Sequence, residues 1–125
     1  MEALLNTLSA FEKDFNLVQK DGSICFDATI YFSTKNNPHH HTEVQNVSIV
    51  ENTLGTICLL HPNLVLFGIP DVLTEGKEEF IYLANQALVI MGESPNHEKY
   101  ILSVHPGNKR CQSETITKLH ARLYH

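Results

Sequence analysis

The chain of 125 residues predicts an α+β fold: a single small domain, spanning 1–125, of largely antiparallel sheet with helices packed on one side, in the order α-β-β-β-β-α-β-α. Three observations carry that expectation. Leu4, Leu8, Phe11 and Phe15 recur at helical spacing and draw one apolar stripe. Ile24, Phe26, Ala28, Ile30 and Phe32 then alternate with Cys25, Asp27, Thr29, Tyr31 and Ser33, the period of a strand with one inward face. The second half runs from an apolar strand through a turn, a helix-periodic segment and another strand to a closing helix, an order that satisfies a two-layer packing.

The first helix is expected over Glu2 to Leu17, and Lys20-Asp21-Gly22 turns the chain into the strand Ile24 to Ser33. Lys35 to Glu43 (KNNPHHHTE) is polar, holds Pro38 and shows no period, so it is expected as a mobile loop. Val44 to Val50 resumes as a strand, Asn52 to Gly55 turns, and Thr56 to Leu60 is a third strand. Leu64 to Ile69 is a short continuous apolar run, the pattern of a strand covered on both faces.

Beyond Asp71 the pattern becomes helical. Thr74 is a candidate N-cap, Glu75, Glu78 and Glu79 suit the positive end of a helix dipole, and Phe80, Ala84, Ala87, Leu88 and Met91 share one face. A helix is therefore expected over Lys77 to Met91, closed by Gly92. A rival reading splits Glu79 to Gly92 into two strands around Asn85-Gln86. Lys99 to Val104 is the last strand, and Ser113 caps a helix to Tyr124 that bears Ile116, Leu119 and Leu123.

Composition narrows the role. With 42% hydrophobic and 18% charged residues the chain can bury a core, while nine Lys and Arg under a net charge of −5 disfavour nucleic acid as a partner. Cys25, Cys58 and Cys111 form no CxxC and no disulfide framework, which suits a reducing compartment, cytoplasmic or nuclear. No stretch reaches the ~18 apolar residues of a membrane span, so no membrane partner is expected.

Eight histidines, three of them consecutive at His39, His40 and His41, raise the question of metal. Metal sites need imidazoles that converge from rigid elements, and these three lie in the expected loop, so no metal is assigned. His61 and His105 precede prolines at strand ends and read as turn residues; His97 and His120 read as exposed. Cys25 and Cys58 read as small buried hydrophobes, and Cys111, after Lys109-Arg110, as a surface thiol. With no G-x-S-x-G, P-loop or G-x-G-x-x-G, no catalytic residue and no cofactor is assigned. The residues expected at a protein contact are Tyr31, Val44, Leu64, Leu66 and Phe67, with Arg122 on the exposed side of the last helix.

The run Val50-Glu51-Asn52-Thr53-Leu54-Gly55-Thr56-Ile57 into Leu59, Leu60, His61 and Pro62, with the segments that follow it, resembles the small proteasome-assembly chaperones, which work as heterodimers on the α-ring of the 20S core particle. The resemblance covers Val47 to Leu123; the first helix and the histidine segment have no counterpart in it. It implies a non-enzymatic assembly chaperone or obligate partner that pairs with a related small subunit as a hetero- or homodimer. Two rivals stand beside it. One is an oligonucleotide-binding barrel in which Tyr31, Phe32 and Tyr100 stack bases, which requires Glu79 to Met91 to be extended. The other is a metal enzyme using His39, His41 and His61.

Overall fold

The computed structural model describes residues 15–73, 79–83, 87–93, 98–107 and 113–123, and in them the chain is dominated by one seven-stranded antiparallel sheet. The strands are β1 (Val18–Lys20), β2 (Ser23–Thr34), β3 (Asn37–Glu51), β4 (Ile57–Leu60), β5 (Glu79–Leu83), β6 (Ala87–Glu93) and β7 (Lys99–Pro106). They lie in the order β4-β3-β2-β7-β6-β5, with β1 pairing β2 beside the start of that strand. Among the described residues there is one α-helix of more than a turn, α1 (Ser113–Leu123), and a 3₁₀ turn at Val65–Phe67.

Local chemistry sets the hairpins. Asp21 and Gly22 both take positive φ, 53° and 79°, as a two-residue turn between right-twisted strands requires, and Lys20 pairs with Ser23 across them. Lys35-Asn36 closes β2 onto β3, with Thr34 opposite Asn37. Asn52 organises the next turn: its Oδ1 accepts from the N–H of Leu54 and of Thr56, each at 2.9 Å. Its backbone pairs with Thr56 and Gly55 at 3.0 Å.

The pleat of β2 separates two faces. Ile24, Phe26, Ala28, Ile30 and Phe32 join Val44, Val47, Ile49, Ile57, Leu59, Leu88, Ile90, Leu102 and Val104 in one apolar core. Phe15, Leu64, Ile69 and Leu73, from outside the strands, belong to the same core, and the Phe15 and Phe26 rings meet edge to face at 5.3 Å. The opposite pleat carries Thr29, Tyr31 and Ser33 on β2 and Ile101, Ser103 and His105 on β7, all buried, in the layer that α1 covers with Ile116 and His120.

This is a correction to the α+β expectation, and three segments account for it. Glu79–Leu83 and Ala87–Glu93 are paired strands, as the rival split had it. Leu88, Val89 and Ile90 are each 0% exposed, a run buried on both faces that a sheet accommodates and an amphipathic helix does not. Asn37 to Glu43 is strand, where a mobile loop was expected. Pro38 is tolerated because the β2 ladder passes from Asn37 to Thr42 without a partner for it and β4 pairs only with Ser48–Glu51, so no ladder bond is lost to the missing N–H. Leu64 to Ile69 is no strand: Leu64 and Ile69 dip into the core while Val65–Phe67 turn outward. The helix expected over Glu2 to Leu17, its last residues apart, lies outside the described residues, as do Thr74, Glu75, Glu78 and Cys111.

The oligonucleotide-binding barrel required the extended β5 and β6 that are present. It also required the sheet to close, and among the described residues its end strands β4 and β5 do not pair with each other.

One irregularity in the β2–β3 ladder is testable. Ile30 faces Val44 and Ala28 faces Val47, so β3 carries an extra residue between them, and Asn46 there sits at φ 59°. Asn46→Gly is expected to hold or raise stability, whereas Asn46→Val loses about 1–2 kcal/mol, measured by urea denaturation. Equal stabilities for the two variants would contradict the bulge.

Candidate functional site

The described residues bring chemistry-bearing side chains together in one place, between α1 and the sheet. His120 on α1 is 0% exposed, with Nδ1 2.8 Å from Ser33 Oγ on β2 and Nε2 2.6 Å from Ser103 Oγ on β7. His41 on β3 reaches the same helix, its Nδ1 3.0 Å from Thr117 Oγ1. Tyr31 stands between two imidazoles, edge to face with His41 at 5.5 Å and with His105 at 5.1 Å, and the rings of His41 and His120 lie 6.2 Å apart. Thr29 closes one end by donating to the Gly107 carbonyl at 3.0 Å.

The electrostatics of this layer follow from burial. An imidazolium under a helix loses its hydration, so burial, with His41 and His105 close by, pushes His120 down to about 4. Burial lowers His105 as well, and lowers His41 against a partly opposing pull from Glu43. A neutral imidazole offers one N–H and one lone pair, and a serine hydroxyl can donate or accept, so Ser33 and Ser103 satisfy either tautomer of His120. The contact has the length of a nucleophile–base pair, but both ring nitrogens end on serines, and no carboxylate orients the ring as it does in a hydrolytic triad. What the arrangement does chemically is fasten α1 to two strands at once.

The residues expected at a protein contact divide. Tyr31 is 0% exposed, Val44 3% and Leu64 1%, so these three serve the interior and correct the expectation that they form a surface. Leu66 and Phe67 are exposed, and so is Arg122 on α1. His39 and His40 are exposed on β3, His41 enters the polar layer, and His61 lies beyond β4 with Nδ1 accepting from the Asn63 N–H at 3.1 Å. The three histidines of the metal reading do not converge, and no group of three metal-binding side chains occurs among the described residues. Cys25 and Cys58 are half-buried, and burial together with Asp27 raises the Cys25 thiol away from ionisation.

Sequence reasoning missed His105 and His120 in this layer, reading one as a turn residue and the other as exposed. The usable signal was on β2 and β7, where Thr29, Tyr31, Ser33, Ser103 and His105 are polar but uncharged, a composition suited to a covered face.

A second feature stands on the β4 side. Leu64 and Ile69 are anchored in the core, the Phe67 N–H bonds to the Leu64 carbonyl at 3.1 Å, and the Ile69 N–H to the same carbonyl at 3.0 Å. Gly68 at φ 70° lets the chain reverse. The result is a fixed knuckle that holds Val65 and Leu66 81% exposed and Phe67 45% exposed, with Leu60 and Val72 also exposed nearby along the chain.

The His120 titration has a definite sign. Unfolded, the ring takes its proton near ~6.5; folded, at about 4, so its stabilisation is complete above the first value and lost as pH falls through the second. The expected loss is up to about 3 kcal/mol, and His120→Gln flattens the profile between those values, with His41 and His105 leaving a smaller slope of the same sign. Urea midpoints measured from pH 7 to pH 4 check this, and an identical slope for wild type and His120→Gln would contradict it.

In comparison with known proteins, the chain matches no family model, no curated protein and no solved structure. No described helix is long and apolar enough to cross a membrane.

Proposed function

We propose that this chain is a non-enzymatic protein-interaction subunit, an obligate partner or assembly factor in a larger complex, acting in the manner of the proteasome-assembly chaperones that its sequence resembles. The observation that carries this reading is the Val65–Phe67 knuckle. Three consecutive apolar side chains face outward on a turn whose flanks, Leu64 and Ile69, are core residues. A surface built this way is ordered before a partner arrives, so little conformational entropy remains to be lost on contact. Each such side chain contributes about 1.5–3 kcal/mol when taken fully out of water.

The polar layer supports the same reading from the other direction. Both ring nitrogens of His120 are taken by Ser33 and Ser103, and His41 meets Thr117, so these neutral histidines hold a helix in place. The buried His105 Nε2 has no hydrogen-bond partner among the described residues. The reading places the chain in a reducing, cytoplasmic or nuclear setting, where Cys25 and Cys58 stay free thiols.

The test is native affinity purification of the wild-type chain beside a Leu66→Asp/Phe67→Asp variant. Leu66 is 81% exposed and Phe67 45%, so urea denaturation checks that the variant is folded before its partners are compared. The expected result is a constant companion at equal stoichiometry with wild type, found on incomplete assemblies of a larger complex and lost with the variant. A companion indifferent to the substitutions, or none, would overturn the proposal.

A further inference from the structure

Among the described residues, α1 covers the outer face of the sheet, opposite the core, at the end where Ser33 and Ser103 meet His120. At the other end the ladders align one residue from each of five neighbouring segments: Val18 opposite Cys25, Cys25 opposite Val50, Val50 opposite Cys58, and Cys58 bridged to Val72. These five side chains share one pleat, because their chain neighbours Ile24, Ile49, Ile57 and Leu59 are core residues on the opposite pleat. They form an uncharged stripe across the strands, about 19 Å long at the usual ~4.8 Å strand spacing. Val18 is 56% exposed and Val72 49%, with Cys25, Val50 and Cys58 half-buried between them.

The charges beside the stripe are placed with a symmetry that picks the occupant. Lys20 lies on β1 two residues to one side of Val18, in the row of Ser23. Asp27 lies on the adjacent strand two residues to the other side of Cys25, in the row of Ser48 and Leu60, where it accepts from the Ser48 hydroxyl at 2.9 Å. Both are exposed. A twofold axis along the stripe exchanges the two sides, so Lys20 of one copy comes beside Asp27 of the other, twice, while Cys25, Val50 and Cys58 each face their own counterpart. The strands of the two copies then run aligned, as in face-to-face sheet packing.

We propose that this stripe is the contact by which the chain pairs with a second copy of itself. The stripe contains none of Val65, Leu66 and Phe67, so the two contacts are probed by different substitutions. Its area is modest beside the ~800 Å² per partner of a standard interface, so the dimer dissociates on the order of micromolar concentration.

Sedimentation equilibrium of the purified chain, with Cys111→Ser throughout, is expected to show a concentration-dependent dimer. Lys20→Asp weakens it about tenfold or more, and Lys20→Asp with Asp27→Lys restores it. With Cys58→Ser added, a short bis-maleimide links the dimer through Cys25 alone; with Cys25→Ser in its place, through Cys58 alone. A monomer up to ~1 mM, a charge exchange that fails to rescue, or linkage only between Cys25 and Cys58 would each overturn the proposal. Leu66→Asp/Phe67→Asp leaves this dimer intact, so loss of self-pairing and loss of the other partner are separate results.

Discussion

β2 is hydrogen-bonded along both sides, to β3 from Ile24 to Thr34 and to β7 from Ala28 to Thr34, with β1 beside its start. A strand held in that way has no freedom in its pleat. A slip of one residue in either ladder would carry Tyr31 and Ser33 into the apolar core and turn Ile30 and Phe32 out. The alternation of β2 therefore settles which side chains of β3 and β7 share each face, and through them which face α1 can cover. The core, the histidine layer and the open stripe are three consequences of that one constraint.

The two faces are stabilised by different means. The core face relies on area: aliphatic side chains close-packed from five strands, with Phe32 stacked on Tyr100 at 5.6 Å. The α1 face relies on matching. Its hydroxyls and imidazoles sit where water is excluded and gain most from a partner within the layer; His120 finds two, while the buried His105 Nε2 finds none among the described residues. An apolar face forgives a shift of an ångström more readily than such a layer does, so the histidine contacts fix where α1 lies on the sheet. The exposed ion pair of Lys118 with Glu114 at 3.0 Å adds only a few tenths of a kcal/mol to the helix.

Much of the sheet was legible in the residues because period-two alternation is a local signal. Ile24 to Ser33, the Asp21-Gly22 turn, the Asn52 to Gly55 turn and the last strand all announce themselves within ten residues. The misread segments depend on distant partners. Leu88 to Ile90 is apolar enough for a helix or a strand, and its pairing with β7 decides for the strand. Pro38 and three histidines look like loop until the pairings of Asn37 and Thr42 with β2 hold them extended from both ends, and Leu64 to Ile69 looks like a strand until its ends are drawn into the core and its middle is expelled. For the candidate site, Leu66 and Phe67 stood out because apolar runs are conspicuous, and the structure leaves both exposed. His120 was missed because a polar residue on a helix announces exposure unless the serines awaiting it, from positions 33 and 103, are seen together.

The outer backbone of β4 is already occupied. The Leu59 N–H bonds to the Asp71 carbonyl at 2.8 Å, and the Leu73 N–H returns to the Ile57 carbonyl at 2.7 Å. A greasy margin beside an uncapped strand is the usual seed of fibrils, since any stray β-segment can zip onto it and present a fresh edge to the next. Here the zip is blocked at the rim where Leu60 and the knuckle emerge, so stickiness on that flank ends after one guest and does not polymerise.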